Sequence, residues 1–203
     1  MLVNEKGTLK ALNEAWKKGY EIVPATGGFI YLYADMWALE IQMRDMPLEV
    51  SQALVQHYGS IPVEAEYVQK GKHNQMMMEA EVDDRIVDLK GMTETAEYIH
   101  KIPILFRDNW QLFATAEGRV LAYDQKYLDM IDWVHACPDM MVAENGVGSF
   151  VVGGERLMIA PGKFGAEDMQ KLRQIAAMYK DQMVTLVEIP ENLCLFDDME
   201  REE

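Results

Sequence analysis

Two glycine pairs, Gly27–Gly28 and Gly153–Gly154, each cut a β-rich run in two. Residues 20–33 read Tyr-Glu-Ile-Val-Pro-Ala-Thr-Gly-Gly-Phe-Ile-Tyr-Leu-Tyr. Residues 150–159 read Phe-Val-Val-Gly-Gly-Glu-Arg-Leu-Met-Ile. Glycine supplies the positive φ that tight strand reversals need. A chain punctuated this way turns back on itself, which points to antiparallel pairing. Pro24 has no N–H for a ladder, so the first run ends there or lies on an edge.

The rest of the chain supplies more strands and a few helices. Trp37, Leu39, Ile41 and Met43 alternate with other residues, the period of a half-buried strand. Residues 63–70 and 74–82 read as strands around Gly71-Lys72-His73, and 83–98 is polar and ambiguous. Residues 104–106, 111–114 and 119–123 read as strands, with Glu117-Gly118 as a turn, and 184–189 reads as a last strand. A first helix is expected over 8–18, capped by Thr8, with Leu9, Leu12, Ala15 and Trp16 on one face and Gly19 at its end. A second is expected after Asp45-Met46-Pro47, with Asp45 as the cap and Gly59 as the stop. Tyr127, Met130, Ile131 and Val134 make a helical stripe stopped by Pro138. Residues 166–180 form the last helix. Its first turn holds Glu167 and Asp168, where the macrodipole favours acids, and its inner face is Met169, Leu172, Ile175, Ala176 and Tyr179.

Strands and helices mixed without a βαβ rhythm indicate an α+β fold of antiparallel β-hairpins packed with about four helices. The 203 residues suffice for one domain, which buries about 70% of its unfolded surface without staples. It is expected over 1–196, with an acidic tail at 197–203. A duplication is also hinted at. At an offset of 90, Gly28 meets Gly118, Tyr33 meets Tyr123 and Ile41 meets Ile131. That offset divides the domain into halves 1–91 and 100–196.

Charge excludes more than it includes. Lys plus Arg number 19 and Asp plus Glu 34, so the net charge is −15. Such a chain repels nucleic acid phosphates and anionic membranes, and it attracts a basic protein. No run of 18 apolar residues is present, and the first residues lack a secretory pattern. Two cysteines, Cys137 and Cys194, are too few for a disulfide framework. These features together predict a cytoplasmic protein. Its sixteen methionines read as fillers of irregular core gaps.

No constellation of residues converges on chemistry. Asn145-Gly146-Val147-Gly148 and Gly153-Gly154 are followed by β-rich residues, so they are hairpin turns and not a phosphate cradle. The loop 161–165 precedes a helix and offers Lys163, but Glu167 and Asp168 oppose an anion there. His135, Cys137 and Asp139 lie within five residues, yet no second ligand pair accompanies them. No metal and no cofactor are expected. Glu79, Glu81, Asp83, Asp84 and Asp88, with Glu94 and Glu97 beyond, form an acidic stretch. It is either a solvated face or a docking surface for a basic partner. Phe29, Tyr31 and Tyr33 face one way on their strand and Ile30 and Leu32 the other. That is the pattern of a central strand covered on both sides, though Tyr31 and Tyr33 also suit an interface. The sequence thus predicts a non-catalytic acidic protein, such as a regulator, immunity-type protein or inhibitor, contacting its partner through Glu79, Glu81, Asp83, Asp84, Tyr31 and Tyr33. The competing expectation is a small-ligand-binding protein or enzyme with a pocket between sheet and helices.

Overall fold

A computed structural model describes residues 1–24, 26–61, 65–69, 75–79, 96–107 and 109–186. The fold is α+β, with four described helices: α1 (Glu5–Lys18), α2 (Leu48–Tyr58), α3 (Gln125–Leu128) and α4 (Ala166–Leu186). The strands are β1 (Tyr20–Pro24), β2 (Phe29–Ala34), β3 (Trp37–Gln42), β4 (Ala65–Gln69), β5 (Gln75–Glu79), β6 (Glu97–Phe106), β7 (Trp110–Thr115), β8 (Val120–Asp124), β9 (Asp139–Val142), β10 (Gly148–Val152) and β11 (Glu155–Ile159). They form one sheet in the order β5-β4-β1-β2-β3-β11-β10-β9-β6-β7-β8. Every pairing in it is antiparallel.

Both glycine pairs do make hairpins. β1 stops at Pro24, but it is not an edge, because β2 and β4 flank it. One face of the sheet carries Ile22, Leu32, Leu39, Leu157 and Phe150, which lie opposite one another strand by strand. α1 and α2 contribute Leu12, Val50 and Leu54 to the same core. The β7–β8 hairpin folds over the other end of that face. There Phe113 and Tyr123 meet Phe150 edge-on at 5.7 and 6.1 Å. The opposite face of β7–β8 forms a second, smaller core from Leu112, Ala114 and Ala122 against Leu172 of α4.

Several expectations are corrected. α1 starts at Glu5, not Thr8. Asn4 is its cap, accepting from the Gly7 N–H at 3.0 Å, and Thr8 is buried inside the helix. α2 starts at Leu48, and Asp45 lies in a preceding 3-10 turn and caps nothing. The stripe at 127–134 holds only the one-turn α3. The N-terminal strap takes the backbone groups that a longer helix would use: Asn4 N–H donates to Met130 O at 2.7 Å, and Asp132 N–H to Leu2 O at 2.8 Å. Val134 is left 78% exposed. β6 starts at Glu97, seven residues before the run at 104–106. Residues 184–186 continue α4 and are not strand. The remainder of that run, 187–189, the ambiguous segment 83–95 and the acidic tail 197–203 lie outside the described residues.

A repeat runs through the sheet. In β1–β2, Glu21 faces Tyr33 and Pro24 faces Ile30. In β9–β10, Asp139 faces Val151 and Val142 faces Gly148, each number higher by 118. The next hairpins continue the offset: Ala34 faces Trp37, and Val152 faces Glu155. α2 and α4 start at 48 and 166, again 118 apart. Identities in this register include Leu39 with Leu157, Ile41 with Ile159, Glu49 with Glu167, Gln52 with Gln170, Leu54 with Leu172 and Gln56 with Gln174. Leu39 also faces Leu157 across the β3–β11 seam. A local two-fold axis therefore passes through that pair and relates the two meanders. At the offset of 90, the β7–β8 hairpin has the register of β1–β2, with Gln111 facing Tyr123, but the match ends at Asp124, where α3 begins instead of a third strand.

Candidate partner-binding surface

The predicted contact residues fall in different places. Glu79 ends β5, opposite Ala65 of β4. Glu81, Asp83 and Asp84 follow in the chain and lie outside the described residues. Tyr31 is 1% exposed, so it presents no surface to a partner. Its hydroxyl donates to Glu40 on the neighbouring strand, and its ring stacks on Tyr33 at 5.9 Å. Arg156 faces Glu40 across the seam. Burial, reinforced by Glu40, pushes the Tyr31 hydroxyl well above its usual range, so it stays a neutral donor. This pair ties β2 to β3, and β2 is a central strand buried on both faces, as its apolar pattern implies.

Other groups of catalytic type are likewise engaged within the fold. The Tyr20 hydroxyl and His57 Nδ1 share a hydrogen bond at 2.7 Å. The imidazole stacks on Trp16 at 4.0 Å, and the Tyr58 hydroxyl donates to Tyr20 O at 2.9 Å. Burial holds His57 below its ordinary 6.5. This cluster joins α1, α2 and β1. Glu155 Oε2 accepts the Leu2 N–H at 2.6 Å, which fastens the N-terminal strap to β11. Burial raises the Glu155 carboxyl above its usual range. Arg107 Nη2 reaches both carboxylate oxygens of the buried Asp168 at 2.7 Å, joining the β6–β7 turn to the start of α4. Sequence reasoning missed these pairs, because each joins residues far apart in the chain.

The remaining motifs resolve simply. Asn145 Oδ1 accepts the Val147 N–H at 3.1 Å inside the β9–β10 turn. His135 Nδ1 bonds Asp132 at 2.9 Å, and Cys137 and Asp139 are exposed. Among the described residues, no three His, Cys, Asp or Glu side chains are grouped to hold a metal. A shallow groove of about 420 Å³ runs between α1 and the segment after α3, lined by Lys6, Lys10, Asp129, Asp132, Trp133 and Val134. It lies at the surface, not between sheet and helices. No described helix is long and apolar enough to cross a membrane.

Among the described residues, sheet edges lie beside β8, along β6 beyond Tyr98 and on the outer side of β5. Beside β8, the Gly162 N–H donates to Ala122 O at 2.9 Å. β6 pairs with β9 only through Glu97 and Tyr98. Beyond them it carries exposed Lys101 and Pro103 and a bulge between Ile102 and Leu105. The Gln111 amide holds that bulge by donating to Ile102 O, to Ile104 O at 3.3 Å and to Leu112 O at 3.1 Å. Charge, proline and bulges are the devices that keep edge strands from pairing with other chains. The third place, the outer side of β5, carries Gln-Met-Met-Met-Glu with no lysine, proline or bulge, and β4 is its one described neighbour.

Fold and surface together define an α+β protein whose sheet runs, among the described strands, from β5 to β8. Comparison with protein-family models, curated proteins and solved structures finds no match.

Proposed function

We propose that this chain is a non-catalytic acidic protein that binds a basic macromolecular partner, as a regulator, immunity-type protein or inhibitor does. The observation that carries the reading is the net charge of −15. Its field draws cationic partners in and speeds their encounter. The internal engagement of His57, Glu40, Glu155 and Asp168 supports the non-catalytic side, since each holds two elements together. A surplus of acids with no reaction to serve acts as a recognition surface.

The test is affinity capture from cell extract with the intact chain and with the combined variant Glu79→Gln, Glu81→Gln, Asp83→Asn, Asp84→Asn. The expected result is a basic protein retained by the intact chain in dilute salt, released by concentrated salt and retained poorly by the variant. Recovery of the same proteins by both, unaffected by salt, contradicts it. The groove beside Trp133 favours a second reading, a small-ligand-binding protein. A saturable rise in melting temperature with a metabolite would establish that instead.

A further inference from the structure

We infer that the groove between α1 and the segment after α3 binds a zwitterion with an apolar side chain, the chemistry of a free amino acid or of a short peptide with free termini. The inference rests on the small-ligand reading of that groove and names its ligand class. The groove holds about 420 Å³, within the range of small-molecule sites. Its two sides carry opposite charge. Lys6 and Lys10 line it from α1, four residues apart and so on one helix face. Asp129 and Asp132 line it from the other side. Among the described residues, neither lysine is in an ion pair. Opposite charges that share a groove without pairing leave room for a molecule that carries both. A purely anionic ligand meets the two aspartates, and a purely cationic one meets the two lysines. One side of the groove opposes each, and neither side opposes a zwitterion.

The apolar part of the lining is already fixed in place. Trp133 Nε1–H donates to Leu128 O at 3.0 Å, its ring meets Phe150 edge-on at 6.2 Å, and Lys101 Nζ lies 4.9 Å from the ring centroid. A ring held this way loses little freedom when an apolar side chain packs on it. Val134 extends that surface and is exposed. The two aspartates differ in what they have left to offer. Asp132 bonds His135 Nδ1 at 2.9 Å and accepts the Val134 N–H at 3.2 Å. The His135 bond above all holds its carboxyl below the usual range, so it stays charged. Asp129 accepts from Gln125 Nε2 at 2.9 Å through Oδ1. Its Oδ2 has no hydrogen bond among the described residues and is the acceptor for the ligand's ammonium group. Lys6 and Lys10 take the carboxylate.

The experiment uses the full chain, titration calorimetry and NMR of the Trp133 indole N–H at about pH 6, where amino groups are protonated. The probes are L-phenylalanine, N-acetyl-L-phenylalanine, which lacks the ammonium, and L-phenylalanine amide, which lacks the carboxylate. Phenylalanine is expected to bind saturably and to shift the Trp133 signal, and each derivative to bind at least about tenfold more weakly. The combined variant Lys6→Gln, Lys10→Gln is expected to weaken phenylalanine about tenfold and to leave the amide unchanged. Asp129→Asn is expected to weaken phenylalanine and to leave the N-acetyl derivative unchanged. Phenylalanyl-phenylalanine separates the two sources: tighter binding by the dipeptide supports a short peptide as the ligand, and tighter binding by phenylalanine supports a free amino acid. Binding by either derivative as tight as that of phenylalanine overturns the inference and leaves the small-ligand reading standing. Failure of both phenylalanine and the dipeptide to bind overturns the inference, as does binding that leaves the Trp133 signal unmoved. A different metabolite that raises the melting temperature would then keep the small-ligand reading.

Discussion

Gly7 sits where no side chain fits. A Cβ placed on it would lie 1.8 Å from the Asp129 carbonyl oxygen, because α1 packs its first turn directly on the end of α3. Alanine is ordinarily the better helix residue by about 1 kcal/mol. Here the sign reverses, since backbone must move to admit a methyl group. Gly7→Ala is expected to cost about 2 kcal/mol and to lower the melting temperature by roughly 4–8 °C. His57 gives a second expectation at this scale. Burial holds its folded-state value below 6.5. As pH falls below about 6.5 the unfolded chain takes up the proton first, so stability is lost until the folded-state value is passed. His57→Phe keeps the stack on Trp16 and removes the titration. Denaturant melts from about pH 7 to about pH 5 should show a shallower fall for the variant than for the intact chain. The variant should also be less stable near neutrality by about 1–3 kcal/mol, because the Tyr20 hydroxyl loses its partner. Neither feature is legible in the sequence. A helical glycine looks like a weak point, and His57 looks like one more residue on a helix face. Their meaning lies in Asp129 and Tyr20, which the fold alone brings near.

Elements were readable where local chemistry decides them. Gly28 has φ of 78° and Gly59 φ of 82°, and both mark the ends that glycine implies. Some of the elements that differ were decided by distant partners. The helical stripe at 127–134 is cut short by the N-terminal strap, which arrives from the other end of the chain. β6 hides because its buried residues serve two cores, Ile99 the larger and Ile102 and Phe106 the smaller, and because a bulge breaks its register between Ile102 and Leu105. Pro24 does end β1, one of the two readings it allows, and β4 rules out the other by flanking the strand. The bulge yields an expectation of its own. Gln111→Leu removes the amide that donates to three carbonyls, two of those bonds being buried. A loss of about 2 kcal/mol is expected, with faster hydrogen exchange in β6 and β7 than in β2 and β3. Uniform exchange across the sheet would show that the clamp is not what holds the bulge.

At the scale of the molecule, a repeat at an offset of 118 and a second hairpin match at 90 organise the sheet. The turn glycines made the shorter match visible in sequence. The longer one rests on few identities and needed the strand registers, because hydrophobic positions tolerate exchanges such as Leu32 for Phe150. Sheet order was not legible at all. β5 reads as an ordinary strand, and its terminal place among the described strands emerges only from the sheet order. The acidic surplus, by contrast, is a property of composition and carries the functional account directly. In the proposed function opposite charge draws the partner in, so its affinity must depend on ionic strength. The dissociation constant of the captured complex should be measured by titration calorimetry from about 0.05 M to about 0.3 M salt. The account predicts weakening by about tenfold or more, mostly through slower association. An affinity unchanged across that range would contradict it.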